Sequence, residues 1–300
     1  MTCDVSSSEL RPPPLPIRVR CYHGEGLMSY ARRAAEANHV GIDDVESAIR
    51  SQGYPLPLRR DAEERLQIWR ALGELHSTTL AEQDKDGELQ IPTRPLCAKC
   101  AAGQAANGRL PTIGDVCLRH RRWLGYGDQA DISRVPEFLA AERTFRRVLV
   151  PKGIVVGSVV VMNCRGIGQC LPKDVAQSRI RQLQLSESNT EMLGYPETVA
   201  LAAMLTDTAF LDRVLSPAPP DERREHLDEA IHAAMHPLEL VESWRITNVL
   251  WSTLKRDYEH LTSTRLRGVA PEPAVALLLP FWTSRPRWED GRRISGPQGA

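Results

Sequence analysis

Cys97-Ala98-Lys99-Cys100 and, after sixteen intervening residues, Cys117-Leu118-Arg119-His120 form the stretch from which the rest of this chain is read. A C-x2-C pair and a C-x2-H pair joined by a loop rich in Gly and Ala have the spacing of a Cys3His zinc site. Donors three residues apart in a tight knuckle both reach one ion, with zinc–sulfur bonds of about 2.3 Å, and the loop returns the second pair to close the tetrahedron. With Cys97, Cys100, Cys117 and His120 filling all four positions, no water remains on the metal to be activated. One structural Zn²⁺ per chain is therefore expected, nucleating a segment too short to have its own core. No Glu or Asp lies within the knuckles to act as a base, which weighs against a catalytic metal. Arg119, Arg121 and Arg122 bracket His120, and Trp123 follows. Guanidinium groups beside an aromatic on a rigid knuckle suit phosphate contact. The alternative is a solvated basic surface with Trp123 closing a small core.

Outward from this segment the charge is uneven. Lys plus Arg and Asp plus Glu number 38 each, so the chain as a whole has no attraction for a polyanion. From Arg94 to Arg181, however, 15 basic residues face 6 acidic ones, a net +9, whereas from Gln182 to Glu242 3 face 12, a net −9. A basic middle that meets nucleic acid, followed by an acidic part that meets a protein, is one reading. Packing of the two segments on each other is the other. The apolar runs Val148–Met162 and Val275–Trp282 are short and interrupted by Pro151, Gly153, Gly157 and Pro280, so neither spans a bilayer that needs about 20 residues. Met1–Leu10 is Ser-rich and carries Asp4 and Glu9, unlike a secretory signal, which predicts a cytoplasmic protein. Seven cysteines without such a signal favour thiols and metal ligands over disulfides. Cys3, Cys21, Cys164 and Cys170 have no matching ligand pair and are read as thiols.

Periodicity predicts a mainly α protein. Residues 1–14, ending in Arg11-Pro12-Pro13-Pro14, read as a flexible leader. Leu27, Tyr30, Ala31, Ala34 and Ala35 share one helical face, Asn38-His39-Val40-Gly41 is a turn, and Asp43 or Asp44 caps a second helix through Val45, Ala48 and Ile49. Two short helices joined by about four residues are the outline of a helix-turn-helix, here within a helical region 15–92. A third helix is expected over 61–80. Residues 93–127 are the zinc-binding segment and 128–185 a basic connecting region, in which Val148–Met162 fits a hairpin or a buried helix equally. An acidic helical domain 186–265 follows, with helices over 197–215, 221–235 and 238–261, and then a Pro/Arg-rich tail 266–300. In the last helix Leu240, Trp244, Thr247, Trp251, Leu254, Tyr258 and Leu261 form one stripe, either core or a partner face; Trp244, Trp251 and Tyr258 are the candidate contacts.

Two blocks together resemble one family. Leu15-Pro16-Ile17-Arg18 and Gly24-Glu25-Gly26-Leu27-Met28-Ser29-Tyr30, with Arg32, Arg33 and Asn38, precede Leu96-Cys97-x-x-Cys100 and Val116-Cys117-Leu118-Arg119-His120. In order and separation these are similar to the TniQ family of bacterial transposition proteins over residues 15–127. Gly26 stands where that family has Ser, Val19 and Ala98 stand where it has Pro, and the loop between ligand pairs lacks a Trp. The resemblance implies a helix-turn-helix in the first block, zinc in the second, and a non-enzymatic targeting factor that works with a transposition ATPase. The resulting expectation is a zinc-containing adapter that binds double-stranded DNA, through Arg119, Arg121 and Arg122 and through Arg32, Arg33 and Arg50 on the helix pair, and that contacts a protein partner or a second copy of itself through its acidic half. A zinc-containing transcription regulator of a mobile element or phage is the runner-up. A zinc-dependent nucleic-acid hydrolase is the alternative of another class, opposed by the missing carboxylates. No P-loop, nucleophile elbow or zinc-protease helix occurs, and Gly166-Ile167-Gly168 lacks a third glycine.

Overall fold

The computed structural model describes residues 11–59, 62–80, 91–125, 127–166, 171–185, 190–215, 218–235, 243–268, 287–289 and 292–294. These are mainly helical, with short antiparallel strand pairs between the helices. Among the described residues no helix is long and apolar enough to cross a membrane. The chain divides into two compact units, Met1–Leu110 and Pro111–Ala300. The division falls inside the 93–127 segment.

In the first unit α1 (Leu27–Ala37), α2 (Ile42–Ser51) and α3 (Glu63–Leu72) bury Tyr30, Ala31, Ala34, Ala35, Val45, Ile49, Leu66, Trp69 and Leu72 in one core. α1 ends as expected, with His39 in the left-handed position, and Val40 N–H closes the turn on the Ala35 carbonyl. Asn38 is thereby released to clamp Ile17, accepting from its N–H and donating to its carbonyl, both at 2.8 Å. Gly41, not Asp43 or Asp44, is the N-cap of α2, and Asp44 reaches back to accept from the Gly41 N–H at 3.1 Å. The third helix is shorter than expected. It ends at Gly73, where a Cβ would collide with the Tyr30 hydroxyl; Glu74 is left-handed (φ 47°) and Leu75 N–H turns back on the Arg70 carbonyl, so Leu75 lies beyond the helix. The 11–14 part of the expected leader is docked: Pro12 is buried, Tyr54 Oη donates to the Arg11 carbonyl (3.1 Å) and Leu15 N–H to the Leu72 carbonyl (2.8 Å). Residues 1–10 lie outside the described residues. β1 (Arg94–Pro95) pairs with β2 (Asn107–Gly108).

In the second unit β3 (Val116–Cys117) pairs with β4 (Arg122–Trp123), and α4 (Pro136–Thr144) begins the helical body. At the end of α4 the chain loosens into a π-turn, Phe145–Leu149, because Pro151 has no N–H to continue the ladder and Val150 N–H instead reaches five residues back to Phe145. The Val148–Met162 stretch is thus neither a hairpin nor one helix. A 3-10 turn ends at left-handed Gly153, and α5 (Val159–Arg165) follows an irregular link. α6 (Lys173–Leu183), α7 (Thr190–Leu193), α8 (Tyr195–Leu205), α9 (Thr208–Val214), α10 (Pro220–Ala234) and α11 (Ser243–Leu266) complete the body. The single helix expected over 197–215 is broken, since Thr206 turns its hydroxyl back on the Ala202 carbonyl and Asp207 caps a new helix by accepting from Phe210 N–H at 2.9 Å. α8 is apolar nearly all round and lies central, against α4, α5 and α10. One core runs from Val116 and Trp123 through Phe138, Val199 and Leu201 to Ile246 and Leu254, so the 128–185 and 186–265 regions read as separate are a single body. Within the expected tail, β5 (Arg287–Glu289) pairs with β6 (Arg292–Ile294); Leu240, Cys3 and Cys170 lie outside the described residues.

Candidate metal centre

The ligand atoms of Cys97, Cys100, Cys117 and His120 all lie within 4.8 Å of one another. Cys97 and Cys117 are buried, His120 is half-buried and Cys100 is exposed. Each ligand pair sits at the turn of a strand pair, Cys97–Cys100 after β1, and Cys117 at the end of β3 with His120 in the turn before β4. Such hairpins leave the two donors of a pair on one side of the turn. Cys117 Sγ and His120 Nδ1 stand 3.7 Å apart. For bonds of about 2.3 Å to sulfur and 2.05 Å to nitrogen, the edge of a tetrahedron is about 3.6 Å. Three thiols and one imidazole gathered in this way fit a single metal ion.

Both strand pairs are pinned to helices by buried carboxylates, a feature with no periodic signal in the sequence. Glu25, fully buried just before α1, accepts from Arg33 Nη2 (2.6 Å), Arg33 Nε (2.9 Å), Ser29 Oγ (3.0 Å) and Tyr22 N–H (3.0 Å). Ser29 Oγ in turn accepts from Asn107 N–H at 2.9 Å, and Gly26 N–H donates to the Asn107 carbonyl. Gly108 lies so close to Gly24 that a Cβ on it would strike the Gly24 carbonyl. The Gly24-Glu25-Gly26 block and the β1–β2 pair, some seventy residues apart, are therefore one packed piece. In the second unit Glu142 accepts from Gly114 N–H (2.9 Å), Val116 N–H (3.2 Å), Tyr195 Oη (2.6 Å) and Arg146 Nε (2.6 Å), while Arg146 Nη2 donates to the Val116 carbonyl. Burial pushes the Glu142 carboxyl up, and the Tyr195 hydroxyl and Arg146 partly offset that rise. The chain leading into Cys117 is thus fixed to α4 and α8.

The arginines separate once placed. Arg119 and Arg121 are exposed on the second knuckle, and Arg121 has a left-handed backbone (φ 52°) that residues with a Cβ adopt at a cost of about 1–2 kcal/mol. Arg122 is turned inward, donating to the Gln129 carbonyl at 2.9 Å and pairing with Asp131. Trp123 is fully buried, edge-on to Phe138 and Tyr195, so no aromatic is presented beside the guanidinium groups and the core role expected as the alternative is the observed one. On the helix pair Arg32 is exposed. Arg33 is removed from the surface set because it is consumed by Glu25, with 10% of its side chain exposed. Arg50 is held by the Leu56 carbonyl and Glu46, which also binds Arg65 and Trp69 Nε1. α2 presents Asp43 and Asp44 in its exposed first turn, an unfavourable face for phosphate.

The aromatic stripe divides as well. Of the stripe Thr247 and Leu254 are buried, beside Ile246 and Leu250 from outside it, and Trp251 and Tyr258 pack at the core's edge around the buried Arg223, whose guanidinium lies 5.5 and 3.6 Å from their ring centres. That placement leaves both half-buried, whereas Trp244 is 56% exposed. The basic and acidic segments do pack together: Arg179 forms a bidentate pair with Glu197 (2.7 and 2.8 Å) and Arg165 bonds Glu191. The acidic half is therefore partly neutralised from within. Cys21 and Cys164 form no disulfide, and burial alone pushes the Cys164 thiol to about 12. Comparison with protein families, with characterised proteins and with solved structures finds no match to this chain.

Proposed function

We propose that this chain is a non-catalytic, zinc-containing adapter that docks on double-stranded DNA in bacterial transposition. One observation carries the reading: three thiols and an imidazole gather around one point, and the knuckle that carries two of them holds Arg119 and Arg121 out to solvent. Zn²⁺ matches that donor set and, when bound, supplies structural rigidity. Arg121 stands at a left-handed position where Gly would relieve strain, which is consistent with a use for its side chain. α1, the 38–41 turn and α2 are read as a helix-turn-helix whose contribution to DNA is Arg32 at the flank of α1, given the acidic first turn of α2. The finer assignment to transposition rests on the resemblance of the 15–38 and 96–124 blocks to the TniQ family, supported by the contact of Gly24 and Ser29 with the β1–β2 pair. Trp244, exposed on α11, is the candidate contact for a transposition ATPase or a second copy of the chain.

The test is duplex binding over a salt series. Three to six phosphate contacts give a log–log slope of about −3 to −5, and removing two flattens it by about 1.8. The Arg119→Gln/Arg121→Gln variant should show that change with its zinc retained. Wild-type affinity and slope in this variant would refute the knuckle as the contact surface.

A further inference from the structure

We infer that the last turn of α4 and the π-turn after it supply a second pair of phosphate contacts, Arg143 and Arg147, and that these and the knuckle arginines engage one DNA duplex; this rests on the DNA-binding reading above. Between Leu139 and Arg165 the sole acidic residue is Glu142, which is buried and already neutralised by Arg146. Arg143 and Arg147 immediately follow Glu142 and Arg146, and both are exposed. Neither has an ion-pair partner among the described residues. Their neighbours fix where they stand. Glu142 holds Gly114 and Val116 by their N–H groups and Arg146 holds the Val116 carbonyl, one residue before Cys117. The helical turn is therefore fastened to the strand that carries the second ligand pair, and both belong to the same unit.

The π-turn contributes geometry as well as charge. Pro151 has no N–H for an α-helical ladder; the ladder widens over Phe145–Leu149, and the chain then leaves through the 3-10 turn Val150–Lys152 and left-handed Gly153. Lys152 is exposed too, although it donates to the Thr206 carbonyl at 2.6 Å. Arg134 is exposed at the start of this stretch. The acids nearby in sequence are exposed Asp128 and Asp131, the second paired with Arg122, and half-exposed Glu137, which pairs with Arg179. The run from Arg143 to Lys152 carries only basic charges and, joined to a basic knuckle, has the charge complementarity of a polyanion's backbone. Duplex DNA is the occupant chosen, because two fixed groups of arginines match a rigid, regularly charged rod without needing unpaired bases.

The experiment compares wild type, Arg143→Gln/Arg147→Gln, Arg119→Gln/Arg121→Gln and the fourfold variant by anisotropy on a duplex oligonucleotide between 50 and 200 mM salt. Each double variant should flatten the slope by about 1.8 and the fourfold variant by about 3.6, at 0.9 per phosphate. Charge-retaining Arg143→Lys/Arg147→Lys should recover the slope, and zinc content and thermal midpoint should match wild type in all of them. A wild-type slope in Arg143→Gln/Arg147→Gln, with weakened binding in the knuckle variant, would sink the π-turn proposal and leave the DNA reading standing. Absence of duplex binding by wild type would sink both. Tighter binding of single-stranded RNA than of duplex at equal salt would reject DNA as the occupant.

Discussion

Glu25→Gln tests the joint between the first helix and the first metal knuckle. The change keeps size and an acceptor oxygen but removes the charge opposite Arg33, whose side chain is 10% exposed beside a carboxylate that is fully buried. Breaking one side of a buried ion pair costs about 3–5 kcal/mol. Because Gln can still accept from Ser29 or Tyr22, the lower end, about 3 kcal/mol, is expected, which is roughly 150-fold in an opening equilibrium. Hydrogen exchange read by mass spectrometry should therefore show the buried face of α1, from Tyr30 to Ala35, exchanging about 150-fold faster. Ser29→Ala, which removes the acceptor for Asn107 N–H, should cost about 1 kcal/mol and act mainly on the 105–110 peptide. An exposed control, Glu36→Gln, should change neither. If α1 in Glu25→Gln exchanges like wild type, the buried pair does not hold that helix and the docking of the β1–β2 pair on it is not what orders the first unit.

Four further outcomes follow from the packing. Asp207→Ala should lower the stability of the second unit by about 1 kcal/mol in urea unfolding, through loss of the α9 cap; an unchanged midpoint contradicts the helix break. Trp251→Ala should cost about 2 kcal/mol or more as a core-edge residue over Arg223, whereas exposed Trp244→Ala should stay within about 0.5 kcal/mol, and equal effects would show that the stripe is not divided as described. Cys164 should resist iodoacetamide at pH 8.5 until the chain is unfolded, since burial keeps its thiol protonated, and rapid alkylation of the native protein would refute that placement. Glu142 binds a proton more tightly folded than unfolded, so its contribution to stability is present in acid and declines as pH rises through its raised titration. The stability of wild type relative to Glu142→Gln should therefore fall on going up from the usual carboxylate range, and a pH-independent difference would contradict this.

The metal-ligand set was legible in the sequence because donor spacing is a local property, and the ends of α1 and α10 were legible because periodicity and turn residues are local too. What failed depended on contacts between distant residues. Arg33 read as a surface cation, since nothing in a helical pattern shows that Glu25, eight residues earlier and outside the helix, folds back to take its charge. Trp123 read as a partner to arginines until its neighbour across the core, Tyr195, was placed 5.4 Å away. The need for Gly at 73 comes from Tyr30, forty-three residues earlier, and left-handed Glu74 ends α3 there; neither shows in a pattern that finds Leu66, Trp69, Leu72 and Leu75 in step. The break at Thr206-Asp207 was available locally, because Asp followed by Thr and two apolar residues is an N-cap signal, but the apolar run on either side masked it. Pro151 likewise announced the end of its helix without indicating the wider π-turn before it.

The most direct test of the account is the metal content of the purified chain, measured by elemental analysis alongside Cys100→Ser. One zinc per chain in wild type, lost in Cys100→Ser together with exchange protection of residues 94–125, is the predicted result, because metal binding and local folding are one equilibrium. Metal-free protein, with residues 94–125 as protected as in a zinc-reconstituted sample, would contradict the central claim that these four side chains form a structural zinc site.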